Sequence, residues 1–231
     1  MTTQTPVDER VHATTRRGDR ALRWAVWLLP LHGLLLLWAT WKRQPSPSTH
    51  FGEWAQFVTT DQFQWSHLVA SIGGQAGAVV GTAALTALLL ARGAPAVRAV
   101  VGLVAHLVGS SFMLAGFGVA AFAQPAIGEL HARHPALAED LYHGVYTPAA
   151  FVVLLSGLAL FSLSTVATGS ALASLPRTPR RVGRLYAVAG PVFGIVGFLF
   201  SPFQTLGALA LVVAGAMAAA ALHRTSDVTG A

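Results

Sequence analysis

Long uninterrupted apolar runs alternate along this chain with short polar intervals, and the runs are longer than the helices of a water-soluble domain require. A charge-free apolar stretch of about 18 residues or more marks a membrane-spanning helix, because only a helix satisfies its own backbone polar groups in hydrocarbon. The first run extends from Ala21 to Trp41, with Trp24 and Trp27 at one end and Trp38 and Trp41 at the other, where aromatic belts mark the two interfaces. Further runs predict helices over 66–91 and 99–122, joined by the basic turn Arg92 to Arg98. Another covers 146–175 and ends at Pro176 and the cluster Arg177, Arg180, Arg181 and Arg184.

No charged residue occurs from Leu185 to Leu222. At about 1.5 Å per residue that stretch is nearly twice a bilayer core of about 30 Å, so it predicts two helices, over 185–200 and 205–222. Ser201-Pro202-Phe203-Gln204 is the expected turn. The pattern therefore predicts an all-α polytopic membrane bundle of six transmembrane helices over residues 21–223, with tails at 1–20 and 224–231.

Two intervals carry structure of their own. Residues 44–65 begin with Pro45 and Pro47 and then carry Phe51, Trp54, Phe57, Phe63 and Trp65, which suits a segment lying at the membrane surface. Thr60 with Asp61 is the expected cap of the second helix, and Glu53 reads as a solvated charge. Residues 123–145 predict one or two short helices, one starting at Pro135 and stopping at Gly144.

Composition agrees with the pattern: 54% of the 231 residues are hydrophobic and 10% are charged, against about a quarter in soluble domains. A formal charge of +6 could suit nucleic acid, but the arginines sit between apolar runs and form no single basic face, so nucleic acid is not an expected partner. Basic residues in short loops are retained on the cytoplasmic side. With the amino terminus inside, Arg10, Arg16, Arg17, Arg20, Arg23, Arg92, Arg98, Arg177, Arg180, Arg181, Arg184 and Arg224 are cytoplasmic, and Lys42, Arg43 and Arg133 alone are outside. Both termini are thus expected in the cytoplasm.

Lys42 is the sole lysine, and the wealth of alanine, glycine and arginine suggests a bacterial plasma (inner) membrane. The apolar run after the basic amino-terminal segment lacks a small-residue cleavage site and is followed by Lys42 and Arg43, so it reads as an uncleaved first helix. Gly73, Gly77 and Gly81, and likewise Gly190 and Gly194, are spaced four apart, as in close helix packing in lipid.

The absence of cysteine excludes disulfides, iron–sulfur clusters, thiolate metal sites and a cysteine nucleophile. Apart from Arg23 at the inner end of the first, no Asp, Glu, Lys or Arg lies inside a predicted span, so a proton relay built on carboxylates has no candidate and ion-driven transport loses support. Histidine is the remaining chemistry. His32 and His106 fall at depths close enough to meet near mid-membrane, and His67 and His143 both fall near the outer surface. Paired imidazoles on different helices are what a b-type haem requires, and Gly102 and Gly109 flank His106 as if to leave room for a flat macrocycle.

The simpler alternative has His32 bonding a carbonyl freed by Pro30, and His106 bonding Ser110 or another helix. The outer interval adds Glu129, His131, His134, Glu139, Asp140 and His143, donor types that suit a divalent metal or general acid–base work, although Pro135 disturbs the His131/His134 spacing. Gln75 is the largest neutral polar side chain at membrane depth. No GxSxG, phosphate-binding glycine loop or HExxH is present.

Three functions are expected on these grounds. The first is a membrane metal- or haem-binding protein with an outer His/carboxylate site. The second is a carrier or binder of a small apolar or lipid-like molecule, with a cavity and a polar outer mouth. The third is a non-catalytic partner or assembly factor for another membrane protein.

Overall fold

A computed structural model describes residues 17–224; Arg10, Arg16 and most of the two tails lie outside the described residues. Six helices are long and apolar enough to cross a membrane: α1 Arg17–Trp41, α3 Asp61–Ala91, α4 Ala96–His131, α6 Pro148–Ala173, α7 Arg180–Leu199 and α8 Ser201–Arg224. Two short helices, α2 Phe51–Val58 and α5 Pro135–Val145, complete the described fold.

The six long helices form a closed ring in chain order. Each packs on its sequence neighbour, and the ring closes between α8 and α1. Many large apolar side chains remain exposed on the outside of the ring, among them Leu31, Leu34, Val80, Val104, Leu155 and Leu209. Such a surface suits lipid, not water.

Inside the ring the apolar side chains form two clusters. One fills the arginine-rich end, with Val26, Leu85, Leu88, Leu89, Leu172, Val182 and Leu222. The other lies toward the opposite end, with Leu36, Met113, Leu158, Phe161, Phe193 and Leu211. A third, outside the ring, joins the short helices into a cap of Trp54, Ala55, Val58, Phe63, Ile127 and Ala138.

Helix ends reflect local chemistry. Thr60 is the N-cap of α3, its hydroxyl accepting from the Phe63 amide at 3.3 Å, so the helix starts at Asp61, ahead of the expected 66. Pro135 and Pro148 occupy first turns, where a missing amide costs nothing. The turn between α7 and α8 falls at Phe200, whose backbone is extended (φ −134°, ψ 96°), and Ser201 already belongs to α8. The Arg92 guanidinium, half-buried after α3, donates to the Leu222 carbonyl at 2.8 Å and so caps the carboxyl end of α8.

Glycines set the closest crossings. A methyl placed on Gly169 would lie 2.5 Å from the Gly183 carbonyl oxygen and 2.6 Å from the Ala187 nitrogen, so α6 and α7 touch backbone to backbone. Gly190 and Gly194 face Thr165 and Ser162 as the spacing suggests. On α3 the packing glycines are Gly74, against His32 and Leu35, and Gly81, against Leu29. Gly77 faces open space and Gly73 meets only its own helix, which corrects the expected stripe.

In the aromatic segment 44–65 the side chains turn inward: Trp54 is fully buried in the cap, 5.0 Å ring to ring from Tyr142. The cause is the length of α4, which runs on past 122 to His131 and offers Ile127 and Gly128 as a wall for α2.

A candidate ligand cavity and the polar groups beneath it

At the capped end of the ring the helices part around a cavity of about 840 Å³. Leu36, Ala39, Phe117 and Phe193 give it an apolar floor, and Leu36 and Phe193 belong to the buried cluster of that half. The rim is polar: Lys42, Arg43, Gln44, His50, Glu53 and His67. Gln204 and Thr205 of α8 close the far wall, and the Thr205 hydroxyl donates to the Thr40 carbonyl at 3.2 Å, tying α8 to α1 beside the cavity.

Widened helical turns surround this space. The start of α3 is a π-helix over Ser66–Gly73, which supplies His67 and Ser71 to the lining. A second π segment, Val119–Ala123, comes after Phe117 in α4. A third, Val192–Val196 in α7, carries Phe193 and comes directly after Pro191, which cannot donate to the regular helix. Such turns recur at functional sites because each inserts a residue and re-aims the side chains around it.

The cap supports the rim. Gln124 donates to the Tyr146 hydroxyl, and Gln44 donates to Gln124 at 3.4 Å. Burial pushes the Tyr146 phenol up to about 12, even though the Gln124 bond pulls the other way, so this network holds a neutral hydroxyl.

One turn below Ser71, α3 carries Gln75, which is fully buried. Its amide donates to the Ser110 hydroxyl of α4 at 2.6 Å. His32 of α1 lies beside Gln75, and His106 stands one turn before Ser110; both imidazoles are buried. The two rings approach Phe161 of α6, with centroids 6.3 and 6.0 Å from it. His32 Nε2, His106 Nε2 and Gln75 Oε1 lack a hydrogen bond of good geometry. Neither the Pro30-linked carbonyl nor Ser110 serves these imidazoles as the simpler sequence reading supposed.

The expected haem pair His32/His106 is thus brought into one region. The glycine notches expected beside it are filled: Gly102 by Thr168, and Gly109 by Leu160, Gly157 and Phe161. The Phe161 ring stands beside both imidazoles. The second pair is differently placed. His67 donates to the Phe63 carbonyl at 2.9 Å and faces the cavity, whereas His143 is exposed on α5 against Tyr142.

The outer cluster disperses in a similar way. His131 packs on Phe51 and borders a small cleft with Glu129, His134 precedes Pro135 at the start of α5, and Glu139, Asp140 and His143 are exposed along α5. Among the described residues no three His, Asp or Glu side chains converge as a metal site. Sequence reasoning missed the cavity's own residues, because Lys42, Arg43, His50 and Gln204 carry no spacing signal.

No family model matches the chain, and no curated protein or solved structure matches it.

Proposed function

We propose that this integral membrane protein binds, and by its position exchanges with the bilayer, a small amphipathic molecule bearing an anionic head group. The observation that carries this reading is the cavity itself, which joins an apolar floor to a rim holding Lys42 and Arg43. Its volume is typical of small-molecule sites, about 300–1,000 Å³. An apolar tail placed on Leu36, Phe117 and Phe193 leaves hydrocarbon for hydrocarbon, so the head-group contacts decide selectivity. Glu53 sits on the same rim and disfavours a head group with more than one negative charge. With the arginine-rich end retained in the cytoplasm, the cavity opens on the outer side of the membrane.

The test uses the full chain in zwitterionic nanodiscs and a fluorescent anionic amphiphile, 11-(dansylamino)undecanoic acid. Saturable binding is expected. The double variant K42A/R43A should weaken it about tenfold or more, because one charge-assisted hydrogen bond contributes about 1.5–3 kcal/mol and 1.4 kcal/mol is a factor of ten. Ala39→Trp, which fills the floor, should abolish it. Equal binding by wild type and both variants would overturn the reading.

A further inference from the structure

Most hydroxyls at membrane depth in this protein are used in the ordinary way, donating back to a carbonyl of their own helix. Ser162 bonds Leu158, Thr165 bonds Ser162, Ser111 bonds Leu107 and Ser170 bonds Val166. A second set is not. Gln75 Oε1, His32 Nε2, His106 Nε2, Thr82 Oγ1, Thr168 Oγ1 and Thr86 Oγ1 are buried without a hydrogen bond of good geometry, His32 standing only beside Gln75 and Thr82 only beside the Tyr186 hydroxyl, though each residue is at most 4% exposed. Water is what usually satisfies such buried polar groups.

These groups are not scattered. Gln75, Thr82 and Thr86 fall at steps of seven and four residues, which places them on one face of α3, and Ser71 stands four residues before Gln75 in the π-helical turn. Ser71 lines the cavity. The gap between Gln75 and Thr82 is bridged from the neighbouring helix. Because Ser110 opposes Gln75, His106 stands one turn, about 6 Å, nearer the arginine-rich end. One turn further again, the Thr168 hydroxyl fills the notch left by Gly102. His32 faces the same level as Gly74 and Gln75. From Ser71 to Thr86 the file covers about 22 Å of a core about 30 Å thick. Below it, Leu85, Leu88, Leu172 and Leu222 close the arginine-rich end.

We propose that this file, along the inner side of α1, α3, α4 and α6, is a gated proton path, with His32 and His106 as its relay and the leucine cluster as its closed gate. The proposal stands apart from the amphiphile reading, although both use the cavity as their opening. Each step of the file, about 6 Å, is the span of one bridging water. The proton is the ion that fits, because among the described residues no carboxylate lines the file to replace the hydration shell of a metal ion, while a neutral imidazole takes a proton on one nitrogen and releases one from the other. No bond other than N–H and O–H is made or broken, and the proton delivered at Ser71 leaves as a proton beyond Thr86. The charged and titratable groups around the path are few: Lys42, Arg43, His50, Glu53 and His67 at the cavity, Tyr186 beside Thr82, and Arg23, its ion-pair partner Asp19 and Arg92 at the far end. The sequence lacked intramembrane carboxylates and so argued against a relay built on them; imidazoles and hydroxyls occupy that role here.

The experiment measures proton influx into proteoliposomes holding a pH-sensitive dye, driven by a potassium gradient with valinomycin. Opening the gate with Leu88→Ala should raise influx about tenfold over wild type, with no change in sodium influx. Adding His106→Leu or, more conservatively, Thr82→Val to Leu88→Ala should return influx to the wild-type level. Leu85→Ala serves as an independent gate variant, so that a folding loss at one leucine, seen by gel filtration, does not decide the result. The inference is overturned if neither gate variant exceeds wild type, or if the open-gate influx survives both His106→Leu and Thr82→Val. Amphiphile binding by Thr82→Val should equal wild type, which separates failure of the path from failure of the cavity reading.

Discussion

Gly169→Ala tests whether the ring is held by backbone contact between α6 and α7. The added methyl would meet the Gly183 carbonyl oxygen at 2.5 Å, whereas ordinary van der Waals contact begins at 3.4 Å, so the helices must separate by about 0.9 Å (3.4 − 2.5) along that line. The obstacle is backbone on the facing helix, and it cannot rotate away as a side chain can. Overpacking of this kind costs about 1–3 kcal/mol. Gly→Ala in a helix interior also gains up to about 1 kcal/mol of propensity, which would obscure the loss in a single measurement.

Gly77→Ala removes that ambiguity. It makes the same change inside another long helix, with nothing within 4 Å of the new methyl. The difference between the two variants isolates the steric term. In reversible unfolding of the detergent-solubilised protein, Gly169→Ala should be less stable than Gly77→Ala by about 1–3 kcal/mol. Equal stability of the two would refute the close crossing.

The ends of the bundle supply two further expected outcomes. Both termini should report the cytoplasmic side; because the chain has no cysteine, Ser48→Cys and Ser174→Cys can be labelled singly in intact cells, and Ser48→Cys alone should react with an impermeant thiol reagent. Reaction at Ser174→Cys alone would invert the arrangement. Tyr146 should ionise well after an ordinary tyrosine: its proton is held more tightly in the folded protein, so the associated stability is full below pH 10 and is lost as pH rises through about 12. Phenolate absorbance showing Tyr146 ionised by pH 10.5 would contradict the buried hydroxyl.

The six spans were legible in the chain because their signal is local: length without charge, and tryptophan pairs at the ends. Span edges shifted where a cap or a proline acts, as at Thr60 and Pro148. The cap of α2 and α5 was legible only as two short segments, since Trp54 finds its partners Ile127 and Tyr142 far away in sequence. The glycine stripes were read half correctly for a similar reason. Spacing places Gly73, Gly77 and Gly81 on one face, but which glycine meets a neighbour depends on where Leu29 and Leu35 of α1 fall.

The histidines show the limit more sharply. Depth arithmetic brought His32 and His106 to one level, and the structure agrees that they share a region. Such arithmetic could not supply Phe161, a residue of a third helix with no reason to stand out in sequence, which stands beside both rings. The widened turns were equally hidden, since Ser66–Gly73 reads as ordinary apolar helix.

Those turns explain why the cavity and the polar file meet. One residue inserted into a helix rotates the turns before it by about 100° relative to the turns after it. In α3 the π segment ends at Gly73, so the face that presents His67 and Ser71 to the cavity is set separately from the face that presents Gln75, Thr82 and Thr86 to the ring interior. A helix that stayed regular from Asp61 would have to compromise between the two, because the cap pins its first turns through Phe63 while Gly74 and Gly81 pin its middle against α1. The widened turn releases that conflict at the level of the cavity floor, and the similar turns in α4 and α7 lie at the same end of their helices. The ring is therefore regular where it is filled by leucine and irregular where it opens, which places all three widened turns at the ligand end.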